Sequence, residues 1–137
     1  MKKNLLIHVN ANEPKLFEMA FGQASNYRRE MLIAHEKMSE QDFAWRAAIG
    51  TLEAEERFKV VLVVNGPAVK QLVKGNSALL YKAQEAVSSG LKILAGKYAV
   101  DEAGLTRDDL WAFVEIVPSA TQAIVELEDK GFAYMKV

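Results

Sequence analysis

Residues 59–67 read KVVLVVNGP, and the five from Val60 to Val64 are apolar without a break, four of them β-branched. A run this short and this branched reads as a strand covered on both faces, as in the middle of a parallel sheet. Asn65-Gly66-Pro67 closes it with a turn that feeds a helix, because proline in a first helical turn lacks only an N–H that has no intrahelical partner.

The segments on either side alternate helix and strand. LLIHV, from Leu5 to Val9, is a short apolar run between Asn4 and Asn10. Pro14 then opens a helix to about Met31, with Leu16, Phe17, Ala20, Phe21, Ala24, Tyr27 and Met31 in steps of three and four along one stripe. Ser39, followed by Glu40, Gln41 and Asp42, caps a second helix reaching about Glu56. After the Val60 strand comes a short apolar face at Val69, Leu72 and Val73, then a helix from Ser77 stopped by Gly90. The stretch GLKILAGKYAV, residues 90–100, holds a third strand over Leu91 to Ala95. A short capped helix at Thr106 to Asp109 leads to a fourth strand, Trp111 to Val117. Pro118-Ser119 opens the last helix, and Phe132 to Val137 is the final strand. Strand and helix in alternation predict an α/β chain, and right-handed crossovers put helices on both faces of the sheet. The expected fold is a three-layer α/β/α sandwich with a mostly parallel sheet of about five strands, in one domain.

Composition narrows the function. Among 137 residues there are 17 Lys and Arg against 18 Asp and Glu, a formal net charge of -1. Such a balance gives no electrostatic reason to expect nucleic acid or an acidic membrane surface, both of which favour clustered Lys and Arg. The apolar run at Leu5 is too short for a signal-peptide core or a membrane span, so the expected location is the cytoplasm. There is no cysteine, which removes disulfides, thiolate metal sites and thiol nucleophiles. The two histidines, His8 and His35, make no metal-ligand spacing, and no metal or cofactor is expected. No phosphate loop, dinucleotide glycine motif or serine elbow is present.

In open parallel sheets ligands bind beyond the carboxyl ends of the strands. That rule nominates His8 and Asn10 after the first strand, Asn65, Gly66 and Pro67 after the second, and Gly96, Lys97 and Tyr98 after the third. Each nominee has two readings. Gly66 and Gly96 serve tight turns or line a site. His8 is a hydrogen-bonded structural residue or a general base. Lys97 is a solvated cation or, with backbone N–H groups at the next helix start, an anion contact. Phe43 and Trp45 are core residues or an exposed partner patch.

Three segments together resemble the DsrE/DsrF-like family. LLIHVNANEPKLFEMAFGQASNY is similar to the family's first strand and helix, including an Ala-x-Asn tract at Ala24 and Asn26. KVVLVVNGPAVKQLVK is similar to its strand and following Gly-Pro turn. GLKILAGKYAV, GLTRDDL and VEIVPSATQAIVELEDKGFAYMKV are similar to its carboxyl half. The likeness spans most of the chain except about residues 31–58, an extended helical segment longer than the usual connection there. It implies an α/β/α sandwich assembling as trimers or hexamers, associated with sulfur relay or sulfur oxidation. In active members the third strand ends in a persulfide-carrying cysteine, and Gly96 lies at that position. The expectation is therefore a non-catalytic homo-oligomer that binds a small molecule or a protein partner at the strand ends, with Gly96 leaving room there. Two alternatives stand beside it: a structural or regulatory subunit that assembles with a cysteine-bearing paralogue through residues 31–58, and an enzyme with His8 as general base.

Overall fold

The apolar run Val60–Val64 is the central strand of the sheet. A computed structural model describes residues 3–137, and in it β2 (Val60–Val64) has all five side chains buried. At about 1.5–3 kcal/mol for each large aliphatic side chain withdrawn from water, this strand is a main anchor of the core. It is flanked by β1 (Leu5–Val9) and β3 (Leu91–Gly96). β4 (Val114–Val117) lies outside β3, and β5 (Ala133–Lys136) lies outside β1. The order is β4-β3-β2-β1-β5, and every pairing is parallel.

That order decides where the helices go. From β1 to β4 the chain steps one strand at a time in one direction, so right-handed crossovers stack α1 (Pro14–Glu36), α3 (Ser77–Ser88) and α4 (Lys97–Glu102) on one face. The step from β4 to β5 runs back across the whole sheet and carries α5 (Ala120–Asp129) on the opposite face. The core divides accordingly. Ile7, Val9, Leu62, Val64, Ile93 and Ala95 pack with Phe17, Phe21, Leu79 and Ala83. Leu6, Val61, Val63 and Leu94 pack with Ala120 and Phe132. Both faces of the sheet carry helix, as the three-layer expectation requires.

Local differences from the sequence reading have local causes. α1 runs on to Glu36 because Leu32 belongs to a separate small core with Met38, Phe43, Leu52 and Phe58. α2 (Glu40–Ile49) stops at Gly50, whose φ of 76° ends the helix, and a 3-10 turn over Thr51–Ala54 follows. Ser39 caps α2 as its chemistry predicts, its Oγ accepting from Asp42 N at 3.0 Å. Phe43 is thus core, while Trp45 is 63 % exposed. Trp111 precedes β4 rather than joining it, and its backbone N–H donates to Leu72 O at 3.0 Å. A 3-10 helix over Gly66–Leu72 follows β2, started by Gly66 at φ 57°.

Arg28 fastens the helical layer from inside. It is buried in α1 and donates to the carbonyls of Ser89, Glu55 and Arg57. Burial pushes the Arg28 guanidinium below its usual pKa, opposed by the nearby Glu55 and Glu56 carboxylates. Gly90, at φ 103°, leaves the space that Arg28 fills.

Candidate functional site

Successive strands β3 and β4 send their chains to opposite faces, β3 into α4 and β4 into α5. Neighbouring strand ends that part in this way leave a crevice between them, the place where open α/β sheets hold ligands. A cleft of about 690 Å³ opens there. Its floor is Asn65, Gly96 and Ala120; one side is Gly66, Pro67 and Lys70, and another is Tyr98, Ala99, Glu102 and Ala103. Pro118, Ser119 and Thr121 close it from the start of α5.

Five of the eight residues nominated from sequence line this cleft: Asn65, Gly66, Pro67, Gly96 and Tyr98. The other three do not. Asn10 approaches only through its backbone, its carbonyl oxygen lying 3.4 Å from where a Cβ on Gly66 would stand. Lys97 turns along α4, with Nζ 2.7 Å from Asp101 Oδ2, one helical turn away. It pairs there and is not part of the cleft lining. The lysine of the cleft is Lys70.

His8 sits one layer below. It is buried on the α5 side of β1, with Nε2 2.9 Å from Asn65 Oδ1 and Nδ1 2.7 Å from the Tyr134 hydroxyl. Both ring nitrogens are taken, and the partners are an amide and a phenol rather than a carboxylate. The imidazole is held between these two partners, and its Nε2 contact is with the side chain of Asn65.

Gly96 lines the cleft and also packs against α5. Its backbone, at φ -71° and ψ 130°, suits any residue. A Cβ built on it would stand 3.0 Å from Ala120 Cβ and 3.2 Å from Ala120 N. The missing side chain lets α5 approach the sheet; it does not leave a vacant slot. The cleft opens beside Gly96, not in place of its side chain.

Lys70, Glu102 and the Pro118–Thr121 segment were not nominated. A signal for the last existed, since Pro118-Ser119 directly follows the fourth strand and the same strand-end rule applies to it. Ser119 caps α5 by accepting from Gln122 N at 3.1 Å, which leaves its O–H free to donate into the cleft. Among the described residues neither Lys70 nor Glu102 has an ion-pair partner. No group of three His, Cys, Asp or Glu among them is placed to hold a metal ion. No helix among them is long and apolar enough to cross a membrane.

No protein-family model and no curated protein matches this chain. Among solved structures it is similar to a protein of unknown function, MTH1491 from Methanobacterium thermoautotrophicum, with a TM-score of 0.71 at 16% identity over 98% of both chains. The likeness is one of fold.

Proposed function

We propose that this chain is a small-molecule-binding protein of DsrE/DsrF-like type, whose site is the cleft above β3 and β4 and which transfers no sulfur. The observation that carries the reading is the cleft itself. Its volume of about 690 Å³ falls in the ~300–1,000 Å³ range of small-molecule sites, and it lies where the crossover direction switches between the adjacent strands β3 and β4. Its lining combines apolar walls, Pro67, Ala99, Ala103 and Pro118, with a few polar groups, Asn65, Lys70, Glu102, Ser119 and Thr121. Tyr98, 77 % exposed at the rim, offers a flat face. Sulfur transfer needs a thiolate to attack and carry the sulfur, and the chain has no cysteine.

A thermal-shift screen of small carboxylates, phosphates and zwitterions against the full chain tests the reading. Thr121→Trp places a large ring over the cleft from an exposed position in the first turn of α5. A compound that stabilises the parent chain is expected to lose its effect on this variant. Unchanged binding would put the site elsewhere.

A second reading rests on a different surface. Trp45 (63 %), Ile49 (52 %) and Tyr81 (66 %) are exposed large apolar side chains, the first two one turn apart on α2. Water-facing apolar side chains of this size favour a contact role for residues 31–58, in a homo-oligomer or with a cysteine-bearing paralogue. Light scattering on the parent chain and on Trp45→Glu tests it. A trimer or hexamer that dissociates in the variant supports the reading, and equal masses for the two chains sink it.

A further inference from the structure

We propose that His8 is a positioning residue for the cleft: it fixes the Asn65 amide with its N–H donors facing outward, so that the site takes a ligand presenting a carboxylate or phosphate oxygen. The proposal rests on the small-molecule reading of the cleft and adds to it a ligand chemistry and a residue that controls it.

A neutral imidazole has one donor and one acceptor nitrogen, so its two partners must be of opposite kinds. Asn65 meets Nε2 with its oxygen, at 2.9 Å. Nε2 must therefore carry the proton and donate. Nδ1 is then the acceptor, and the Tyr134 hydroxyl, 2.7 Å away, donates to it. The chain of donors runs in one direction, from the phenol to the imidazole to the amide oxygen. Strand pairing sets the positions: His8 is in register with Val63 on β2 and Lys136 on β5, and Asn65 continues β2, its N–H donating to Val9 O at 3.1 Å.

An amide held by its oxygen has its NH2 group turned the other way. Asn65 lines the cleft, and its Nδ2 has no protein partner among the described residues. The donors in the cleft lining then include this NH2, the Lys70 ammonium and the Ser119 and Thr121 hydroxyls, with the Tyr98 hydroxyl at the rim. Glu102 is the one carboxylate in the lining, carried on α4 across the cleft from the α5 start. Donors of this kind recognise an oxyanion, and a carboxylate or a phosphate supplies the same acceptor oxygens.

Two measurements on the full 15N-labelled chain test the proposal. Long-range 15N–1H spectra of the His8 ring report its tautomer without any ligand, and the Nε2–H form is expected. The Nδ1–H form would mean that the amide is turned round, which overturns the role of His8. Titrations with sodium acetate and with inorganic phosphate follow the Asn65 side-chain NH2 signals and tell the two oxyanion sources apart. At least one anion is expected to move them, with affinity at least tenfold weaker in His8→Phe and within about threefold of the parent in His8→Gln, whose amide can still donate to Asn65. Backbone amide spectra of each variant show that the fold is retained. Equal affinities for the parent and His8→Phe overturn the positioning role, because a merely structural histidine would leave binding unchanged. If neither anion moves the Asn65 signals the ligand chemistry is wrong, whereas loss of every hit in the broader screen would remove the small-molecule reading itself.

Discussion

Replacing Gly96 with alanine separates the two meanings this glycine had. If the position were open space, alanine would stabilise the chain by about 0.4–1 kcal/mol, because its φ of -71° and ψ of 130° are unstrained and the unfolded state loses freedom. The neighbouring atoms argue the other way. The new methyl would lie 3.0 Å from Ala120 Cβ, well inside the ~3.5–4.0 Å optimum for carbon pairs. Its second neighbour, Ala120 N at 3.2 Å, is backbone and cannot rotate aside. Ala120 is itself buried in the first turn of α5, beside the Ser119 cap. Relief requires the start of α5 to move by several tenths of an ångström, and overpacking of this kind costs about 1–3 kcal/mol. Overpacking wins, for a net loss of about 1–2 kcal/mol, or roughly 3–7 °C in Tm for a domain of this size. Gly96→Cys should lose at least as much.

Urea denaturation of the parent, Gly96→Ala, Ala120→Gly and the double variant forms a cycle that isolates the contact. Removing the Ala120 methyl should recover about 1 kcal/mol of the Gly96→Ala loss, a coupling within the range seen for touching residues. If Gly96→Ala is neutral or stabilising, or the two changes add to within about 0.3 kcal/mol, then Gly96 leaves room after all and the packing account fails.

Three further outcomes follow from other parts of the fold. Gly90→Ala should destabilise by at least about 2–4 kcal/mol, since it combines a φ of 103° with a methyl that overlaps the buried Arg28 guanidinium; near-parent stability by denaturation would show that Arg28 is not fixed there. Gly22→Ala, in the exposed middle of α1 with no atom within 4 Å of the new methyl, should instead raise stability by about 0.5–1 kcal/mol, and a lower Tm would contradict the continuous helix. Glu55 is held down to about 2, from an ordinary 4.5, chiefly by the hydrogen bonds of the Arg57 side chain. Its ionised form is the one the fold favours, so its contribution is complete above pH 4.5 and is lost as pH falls toward 2. Urea midpoints at pH 7, 4 and 3 should therefore fall less steeply for Glu55→Gln than for the parent; parallel slopes would refute this.

The cleft shows how two kinds of information divided. Asn65, Gly66, Pro67, Gly96 and Tyr98 were legible because a buried β-branched run marks a parallel strand, and parallel strands present their carboxyl ends to ligands. Lys70 and Glu102 carried no such mark: an exposed charged residue on a helix looks the same in sequence whether it faces a cleft or open water. Lys97 stayed open between two readings for the same reason, as its pairing with Asp101 depends on α4 beginning immediately at the strand end.

By itself the sequence determined the alternation of strand and helix, the burial of Val60–Val64, the caps at Ser39 and Ser119, and the exclusion of thiol chemistry. These follow from side-chain shape, backbone propensity and composition, all of which act within a few residues. The tertiary structure alone decided the strand order, and with it which two strand ends part to form the cleft. It alone joined Tyr134 and Asn65 through His8, partners 126 and 57 residues away. It also made Gly96 a contact surface for Ala120 rather than a vacancy. Such relations depend on where the crossovers land, and no local pattern encodes the distance between two segments until the sheet has placed them side by side.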